Sequence, residues 1–220
     1  MTITATALAV RDLGRIAYAD SMRLQDELVE ARLREEIPDT LLLLEHPAVI
    51  TLGRRGSLSD VYLPEVELAC RGIAVERTTR GGLVTYHGPG QLVGYPIVRL
   101  RARGLNVPCY VRALELAIIA ALAEMGIQAR LDEDHIGVWT ERGKIAAIGV
   151  AQRHGVTLHG FAVNLQPDLA HFALINPCGI ADLGVTSVAE LLGQPVDLAD
   201  FKSRIARTLN DALDRVGCTT

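Results

Sequence analysis

The stretch that organises this chain is Arg80-Gly81-Gly82-Leu83-Val84-Thr85-Tyr86-His87-Gly88-Pro89-Gly90-Gln91. It places four glycines between two apolar runs, residues 73–75 and 92–98, and both runs predict strands. Glycine lets a backbone approach a ligand closely or adopt a positive φ, and ordinary connections are only about two to six residues long. The stretch therefore predicts a loop that lines a binding pocket, with Arg80 and His87 as its polar groups. The alternative is a long hairpin with solvated polar residues.

Length and composition indicate a globular protein with a sizeable core. The chain has 220 residues, enough for one large domain or two small ones, and 49% of them are apolar. No apolar run reaches the roughly 18 residues that a membrane span requires. The first residues lack the basic start and apolar core of a signal peptide. We therefore expect a cytoplasmic protein that makes no use of a membrane.

Charge is unevenly distributed along the chain. Between Arg54 and Arg112, nine arginines stand against four acidic residues, so this segment carries +5 in a chain of net charge −4. A basic segment around a predicted pocket indicates an acidic partner, and we expect Arg99, Arg101 and Arg103 to form its docking surface. The alternative is that these arginines scatter over the folded surface. Nucleic acid is a weaker fit, because the chain is acidic overall and has few aromatic residues.

The order of predicted elements indicates an α/β protein with a mixed or mostly antiparallel sheet, because strands outnumber helices and often follow one another directly. Helices are predicted for residues 18–36, 64–71, 107–125, 169–174 and 197–216, and a further helix begins at the capping-box pattern of Ser187. Strands are predicted for residues 5–10, 41–44, 49–52, 73–75, 92–98, 136–140, 144–151, 156–158 and 161–165. His46-Pro47 is expected to break the strand of residues 41–44, and residues 49–52 are expected to resume it.

Lysine is rare in this chain. Lys144 and Lys202 are the only lysines among 22 basic residues. Lys144 opens an apolar strand, where partial loss of hydration would let its amine release a proton, which arginine cannot do. The alternative is a strand-edge lysine that points to water. Lys202 lies in an amphipathic helix and is expected to be surface charge.

The four cysteines contain no Cys-x-x-Cys pair, which argues against a structural zinc site and a disulfide framework. Cys70 and Cys109 follow apolar helical patterns and are expected in the core, whereas Cys218 near the C-terminus is expected to be inert. Cys178 lies between proline and glycine, which predicts a tight turn. An exposed thiol on such a turn is a candidate nucleophile, and a small core residue is the alternative.

Several blocks of the chain together resemble the lipoyl(octanoyl) transferases of the biotin/lipoate ligase-like superfamily. The stretch from Arg80 continues as Leu92-Val93-x-Tyr95-Pro96, and the whole is similar to that family's signature. Its later blocks are similar to Gly143-Lys144-Ile145-Ala146, Leu158-His159-Gly160-Phe161-Ala162-x-Asn164 and Asn176-Pro177-Cys178-Gly179-Ile180. The blocks run in the right order from about residue 42 to residue 187.

The resemblance implies a fold and a reaction. The fold is a single domain over residues 1–220, of α/β (α+β type) class, with helices packed on a mixed, largely antiparallel sheet. The reaction moves an octanoyl or lipoyl group from the thioester of acyl carrier protein to one lysine of a lipoyl domain. Acceptors would be the lipoyl domains of 2-oxoacid dehydrogenase complexes and the glycine cleavage H protein. No metal or cofactor is implied, and a monomer is expected.

The resemblance also implies residue roles. Cys178 would be the acyl-thioester nucleophile and Lys144 its partner. His159, like His87, either binds substrate or caps a strand end. The substrate-binding residues would be Arg80, Gly81, Gly82, Leu83, Val84, Thr85, Tyr86, His87, Ala147, Ile148, Gly149, Gly160, Phe161 and Ala162.

Elementary chemistry is consistent with these roles. An unperturbed cysteine, of pKa about 8.5, is only about 3% thiolate at pH 7, and a nearby ammonium group increases that fraction. The acceptor lysine, of pKa about 10.4, is protonated in water and must lose a proton before it attacks. Lys144 in its neutral form is the candidate base.

Two other functions remain open at this point. An ATP-dependent lipoate or biotin ligase would share the fold, but it activates a free acid as an adenylate and needs no cysteine nucleophile. A non-catalytic module that binds acyl carrier protein would use the basic segment without turnover. Product formation in the absence of ATP distinguishes the three.

Overall fold

The computed structural model describes residues 7–176 and 184–216. Within these ranges the chain forms nine strands in two sheets, with five α-helices and three short 3-10 turns. The strands are β1 (Ala9–Arg15), β2 (Thr40–Glu45), β3 (Val49–Leu52), β4 (Ala74–Arg77), β5 (Val84–His87), β6 (Gln91–Ile97), β7 (Val138–Thr140), β8 (Gly143–Arg153) and β9 (Val156–Asn164). The helices are α1 (Tyr18–Leu33), α2 (Glu65–Cys70), α3 (Val107–Ala123), α4 (Val188–Leu192) and α5 (Leu198–Arg215).

The larger sheet has six strands in the order β1-β2-β6-β9-β8-β7. Its β1–β2 pair is parallel and its other pairs are antiparallel. Strands β2, β6 and β9 are buried almost throughout, which explains their long apolar runs, because helices cover both faces of the sheet. The predicted α/β fold with a mixed, largely antiparallel sheet is confirmed.

A second sheet of three strands, in the order β4-β3-β5, departs from the sequence prediction. Residues 49–52 were expected to resume the strand of residues 41–44, but they form β3 in the smaller sheet. His46-Pro47 redirects the chain here, because proline fixes its own φ and restricts the residue before it. The glycine-rich stretch is likewise not one loop, since β5 forms inside it and pairs with β3.

Three apolar clusters hold these layers together. Helices α3 and α5 pack on one face of the larger sheet, α1 covers the other face, and the smaller sheet has its own cluster around Tyr86 and Leu68. Thr208 of α5 donates a hydrogen bond to the carbonyl of Ala117 at 2.9 Å, which fixes the contact of α5 with α3. None of the helices in the described ranges has the length and apolar character needed to cross a bilayer.

Element boundaries differ from the predictions in a few places. Helix α1 ends at Leu33 rather than residue 36, and residues 156–165, predicted as two strands, form the single strand β9. The predicted helix over residues 169–174 is a 3-10 turn, Leu169–Leu174. The caps at Ser187 and Asp197 are confirmed, since both side chains accept backbone N–H groups at the starts of α4 and α5.

Candidate functional site

A cavity of about 450 Å³ lies where the two sheets meet. Its wall combines β5 of the smaller sheet with β8 and β9 of the larger one, and α3 contributes Val107 and Val111. The volume is within the range typical of small-molecule sites. All the residues predicted to bind substrate line this cavity except Tyr86, and Lys144 lines it as well.

Tyr86 was predicted to bind substrate, but it does not line the cavity. Its side chain is buried in the cluster of the smaller sheet, and its hydroxyl lies 2.8 Å from Nδ1 of His171. Residues 84, 85 and 87 line the cavity, so Tyr86 alone of β5 is outside the wall. Its contacts therefore support the wall from behind.

The Arg80 guanidinium is occupied by the loop that surrounds it. Its Nη2 donates to the carbonyls of Thr51 and Leu83 at 2.7 and 3.0 Å, and its Nη1 donates to the carbonyl of Gly81 at 3.0 Å. Its Nε donates to Oγ1 of Thr51 at 3.2 Å. These bonds make Arg80 the organiser of the loop, and its role as a polar group for substrate stays a prediction.

Close backbone contacts join this loop to the strand beside it. The N–H of Gly81 donates to the carbonyl of Val150 at 3.0 Å, which joins the loop to β8. A Cβ atom at Gly149 would lie 3.1 Å from both the Arg80 stem and the Gly81 carbonyl. A larger residue at Gly149 would therefore push the loop away from β8.

His87 belongs to a buried group of rings beside the cavity. Its Nδ1 donates to Oε1 of Gln91 at 2.6 Å, and its ring stacks on Tyr18 with centroids 6.3 Å apart. His46 lies edge-on to it at 5.8 Å, donates from Nδ1 to the carbonyl of Ile16, and accepts from the Tyr95 hydroxyl. Burial lowers the pKa of His87 to about 3 and that of His46 to about 4. Both rings are therefore neutral near pH 7.

His159 is the most constrained residue of the wall. It has a φ of 59°, in the left-handed region that a non-glycine residue rarely adopts. Its backbone N–H donates to Oε1 of Gln25 at 2.7 Å, and its Nε2 lies 3.0 Å from Oγ1 of Thr79. Burial lowers its pKa to about 3. Nδ1 is buried and has no hydrogen-bond partner among the described residues, so this neutral ring presents one unused polar atom.

Lys144 lines the cavity beside Trp139 of β7. Its Nζ is 5.0 Å from the centroid of the Trp139 ring. Its backbone N–H donates to the carbonyl of Gly184 at 3.2 Å, and its carbonyl accepts from the N–H of Thr186 at 3.1 Å. The chain that leaves residues 177–183 is therefore tied directly to β8 at Lys144.

The chain that enters residues 177–183 is held by the segment between β3 and α2. The backbone N–H of Asn176 donates to the carbonyl of Asp60 at 2.8 Å, and that of Tyr62 donates to the carbonyl of Leu174 at 2.9 Å. Phe172 on the entering side and Gly184 on the leaving side both line the cavity. Cys178 itself, the predicted nucleophile, lies outside the described residues.

The other cysteines differ in part from their predictions. Cys70 is exposed rather than buried, so its assignment to the core is wrong. Cys109 is half-buried against the main core and is disulfide-bonded, which the cysteine spacing did not predict. Cys218 lies outside the described residues.

The predicted docking surface of three arginines is wrong for two of them. The Arg103 side chain is only 6% exposed and forms ion pairs with Asp39 and Asp214 at 2.6 and 2.8 Å. Arg99 forms an ion pair with Glu35. These arginines are committed to intramolecular pairs, so they stabilise the fold. Elsewhere in the basic segment, Arg54, Arg55, Arg77 and Arg101 are exposed, and Arg55 lines the cavity.

Sequence reasoning missed several residues of the wall. Val107 and Val111 are four residues apart on α3 and so face the same way, but their pattern is that of any packed helix. Trp139 is the only tryptophan of the chain and lies five residues before Lys144, a signal that could have been used. Across the described ranges, no three His, Cys, Asp or Glu side chains group as metal ligands would.

Comparison with known proteins identifies what this chain is similar to. The lipoyl protein ligase A/B catalytic domain family matches residues 17–210. An octanoyltransferase of Alkaliphilus metalliredigens is 50% identical over 191 residues, which are 86% of this chain and 88% of that protein. An octanoyltransferase of Pelobacter propionicus is 44% identical over 207 residues, 94% of this chain and 96% of that protein.

Solved structures share the fold at low sequence identity. Lipoate-protein ligase A bound with ATP superposes with a TM-score of 0.75 and 16% identity, over 94% of this chain and 86% of that chain. The biotin protein ligase of Aquifex aeolicus, in complex with biotin and ATP, gives 0.58 and 16%, over 94% and 71%. A bipartite lipoate protein ligase of Thermoplasma acidophilum, described with its E2 lipoyl domain, gives 0.73 and 17%, over 94% and 84%.

Proposed function

Because this chain belongs to the lipoyl protein ligase A/B catalytic domain family, with octanoyltransferases as relatives along most of its length, we propose that it is itself an octanoyltransferase of protein lipoylation. It takes an octanoyl group from acyl carrier protein and transfers it to a lysine of a lipoyl domain. Cys178 carries the group between the two partners as a thioester.

The observation that carries this proposal is the chemistry of the cavity wall. Many of the side chains that line the space are apolar, and Lys144 supplies an amine among them. Burial of a CH₂ group contributes about 0.8 kcal/mol, so a seven-carbon tail gains roughly 5 to 6 kcal/mol in such a space. Apolar residues of the wall include Leu83, Val84, Val107, Val111, Ile148 and Phe161.

In the first half-reaction the Cys178 thiolate attacks the carbonyl carbon of the octanoyl thioester. A new C–S bond forms to Cys178, and the C–S bond to the carrier's sulfur breaks. The departing thiolate takes a proton from the Lys144 ammonium and leaves as a thiol, so Lys144 is neutral when the acceptor arrives. The Lys144 ammonium stabilises the thiolate before attack. Exchange of one thioester for another is nearly isoenergetic, so this step is reversible.

In the second half-reaction the amine of the acceptor lysine attacks the Cys178 thioester. An amide C–N bond forms, the C–S bond breaks, and the Cys178 thiolate is regenerated. The proton of the attacking amine passes to Lys144 in its neutral form. Amide formation from a thioester is downhill, and this makes the overall transfer proceed in one direction without ATP.

The partners follow from the same reaction. The donor is octanoyl-acyl carrier protein, and the acceptors are the lipoyl domains of 2-oxoacid dehydrogenase complexes and of the glycine cleavage H protein. A structural neighbour is described together with an E2 lipoyl domain, which supports an acceptor of this kind. A single domain over residues 1–220, a monomer and a cytoplasmic location stay predictions.

The experiment is a transfer reaction with purified octanoyl-acyl carrier protein and an isolated lipoyl domain, with and without ATP. An octanoyltransferase forms the octanoyl-lysine amide equally in both. A ligase forms product only from free octanoate and ATP, and a binding module forms none. Either of the last two results contradicts the proposal.

The role of Lys144 is tested by two substitutions. Lys144→Arg keeps a positive charge but cannot accept a proton near pH 7. We expect it to retain part of the first half-reaction and to lose most of the second, whereas Lys144→Ala impairs both. Transfer by Lys144→Arg at the wild-type rate would mean that Lys144 supplies only charge.

A further inference from the structure

The ammonium group of Lys144 faces an aromatic ring. Its Nζ lies 5.0 Å from the ring centroid of Trp139, within the 6 Å or so over which a cation is attracted to a ring face. Tryptophan has the most favourable ring for this interaction. Trp139 is 2% exposed, so little water weakens the attraction from the ring's side.

A bulge brings these two residues opposite each other. Val138 of β7 pairs with Ala146 of β8, but Trp139 pairs with Lys144, so Ile145 is skipped. In a regular ladder Trp139 would face Ile145. Because a shift of one residue moves a side chain to the other face of a strand, the bulge is what sets the tryptophan beside the lysine.

The tryptophan ring is itself held in place. Its Nε1 donates to the carbonyl of His135 at 3.1 Å, and its backbone exchanges hydrogen bonds with Arg130 at 2.8 and 2.9 Å. Asp132 accepts from Nδ1 and the backbone N–H of His135 at 2.8 and 3.0 Å, which fixes the loop that supplies that carbonyl. The ring is therefore a fixed platform.

A glycine keeps the space on the other side of the lysine open. Gly137 has a φ of 129°, and a Cβ there would lie 2.6 Å from Cε and 3.2 Å from Nζ of Lys144. The N–H of Gly137 donates to Oε1 of Glu115 at 3.1 Å, so this backbone is anchored to α3. The lysine stem thus runs between a glycine backbone and a tryptophan ring.

We propose that Trp139 is a positioning residue that holds the Lys144 side chain at the cavity wall and favours its protonated form. In the proposed reaction, on which this role rests, the ammonium is the form that stabilises the Cys178 thiolate. Trp139 would then set the pH above which Lys144 becomes a base. Gly137 contributes by leaving the lysine room to reach the ring.

Trp139 makes two opposing contributions to the pKa of Lys144, and their balance decides the direction in which that pKa shifts. The ring's electrons stabilise the ammonium and raise the lysine pKa, whereas the ring's bulk excludes water and lowers it. Leucine keeps much of the apolar cover but has no ring. The charged and titratable groups on the surrounding described elements are Asp134 and His135 before β7, Glu115 on α3, Arg142 between β7 and β8, and Arg80 in the cavity wall. Arg130 and Asp132, in the chain before β7, and Glu141, between β7 and β8, belong to the same group. Trp139→Leu changes none of these side chains, but it removes the Nε1 bond to the His135 carbonyl and the contact of the two rings, whose centroids are 5.9 Å apart.

The test uses the rarity of lysine. The chain has two lysines, so protein labelled with ¹³C at lysine Cε gives two signals in a pH titration by NMR, assigned with Lys202→Arg. For Trp139→Leu we expect the Lys144 midpoint to fall by about 0.4 to 1.5 pH units and its ring-shifted Cε protons to move downfield. For Trp139→Phe we expect an intermediate midpoint. The Lys202 signal, which reports a lysine paired with Asp12, should not change.

Phe201→Leu is the matched control, because it removes another buried aromatic ring, from α5, and is expected to leave the Lys144 signal in place. An unchanged or raised Lys144 midpoint in folded Trp139→Leu and Trp139→Phe would overturn the proposal. The titration needs no substrate. If the wild-type protein transfers no octanoyl group, the proposed function is refuted, but the titration still tests whether Trp139 raises the pKa of Lys144.

Discussion

The Tyr86 hydroxyl lies 2.8 Å from Nδ1 of His171 and thereby joins β5 to the 3-10 turn Leu169–Leu174. The rings of Tyr86 and Phe172 also meet edge-on, with centroids 5.5 Å apart. Phe172 lines the cavity, although Tyr86 does not. Through these contacts β5 holds in place the turn that supplies Phe172 to the cavity wall and that leads toward residue 177.

Tyr86→Phe removes this hydrogen bond and keeps the ring. We expect the rate of acyl transfer to fall several-fold, because the turn that supplies Phe172 loses its tie to β5. The free energy of unfolding should fall by only about 1 kcal/mol. Steady-state kinetics and urea unfolding measure the two effects.

Tyr62→Phe is the control for this substitution, since Tyr62 is 61% exposed. It should change neither quantity. If Tyr86→Phe transfers the octanoyl group at the wild-type rate, the contact with His171 does not shape the cavity.

The three buried imidazoles make a prediction about acid stability. Their pKa values in the folded protein are about 4 for His46 and about 3 for His87 and His159, against about 6.5 in an unfolded chain. The unfolded state therefore binds more protons below pH 6.5, so stability is full above that pH and is lost as the pH falls toward 4 and then 3. Three such groups together give a slope of about 3 to 4 kcal/mol per pH unit between pH 6 and 5.

Urea unfolding at pH 8, 6 and 5 measures this slope. His159→Gln should reduce it by about one third, because it removes one of the three titrating groups. A wild-type stability that is the same at pH 6.5 and pH 5 would show that these rings are not buried in neutral form.

Docking of an acidic donor is expected to involve the exposed arginines beside the cavity. Arg54 and Arg55 follow β3 directly, and Arg55 lines the cavity. Electrostatic steering acts mainly on association rates and is screened by salt over about 8–10 Å. Arg54→Ser with Arg55→Ser should lower kcat/KM for octanoyl-acyl carrier protein several-fold and flatten its dependence on salt.

The control pair is Arg11→Ser with Arg215→Ser, which removes the same charge from exposed residues outside the cavity wall. It should react nearly as the wild type does. A small uncharged octanoyl thioester should react at similar rates with all of these proteins. If Arg54→Ser with Arg55→Ser loses as much activity with that small donor, the two arginines shape the cavity and do not steer the carrier.

The fold was largely predictable because its local signals agree with the tertiary structure. The caps Ser187 and Asp197 mark helix starts, and the buried strand β2 has the apolar run of a strand covered on both faces. The division into two sheets was not predictable from periodicity. A strand pattern indicates which face is buried but does not indicate the partner strand, so β3 was predicted as a strand but in the wrong sheet, and β5 was missed within the predicted loop.

The site was predictable where side-chain chemistry is rare in this chain, as at Lys144. The prediction failed where arginines were counted as available charges without regard to the groups in the folded chain that pair with them. Arg99 and Arg103 looked available for an acidic ligand, yet ion pairs occupy them. Their partners, such as Glu35 and Asp39, are distant in sequence, and only the folded chain brings them together. Trp139 was missed for a similar reason, since a bulge in β8 creates its contact with Lys144.

The central claim is that Cys178 carries the octanoyl group, and intact-mass analysis tests it most directly. The wild-type protein is mixed with octanoyl-acyl carrier protein, without acceptor. Its intact mass is then measured by mass spectrometry, and the modified residue is located by proteolysis and peptide mapping. The account predicts one added octanoyl group, located on Cys178, and none on Cys178→Ala. Cys70→Ser, which removes the exposed thiol, should be labelled as the wild type is. An octanoyl group found on Cys70 in place of Cys178, or on Cys109 after reduction of its disulfide, or amide product formed at the wild-type rate by Cys178→Ala, would contradict the account.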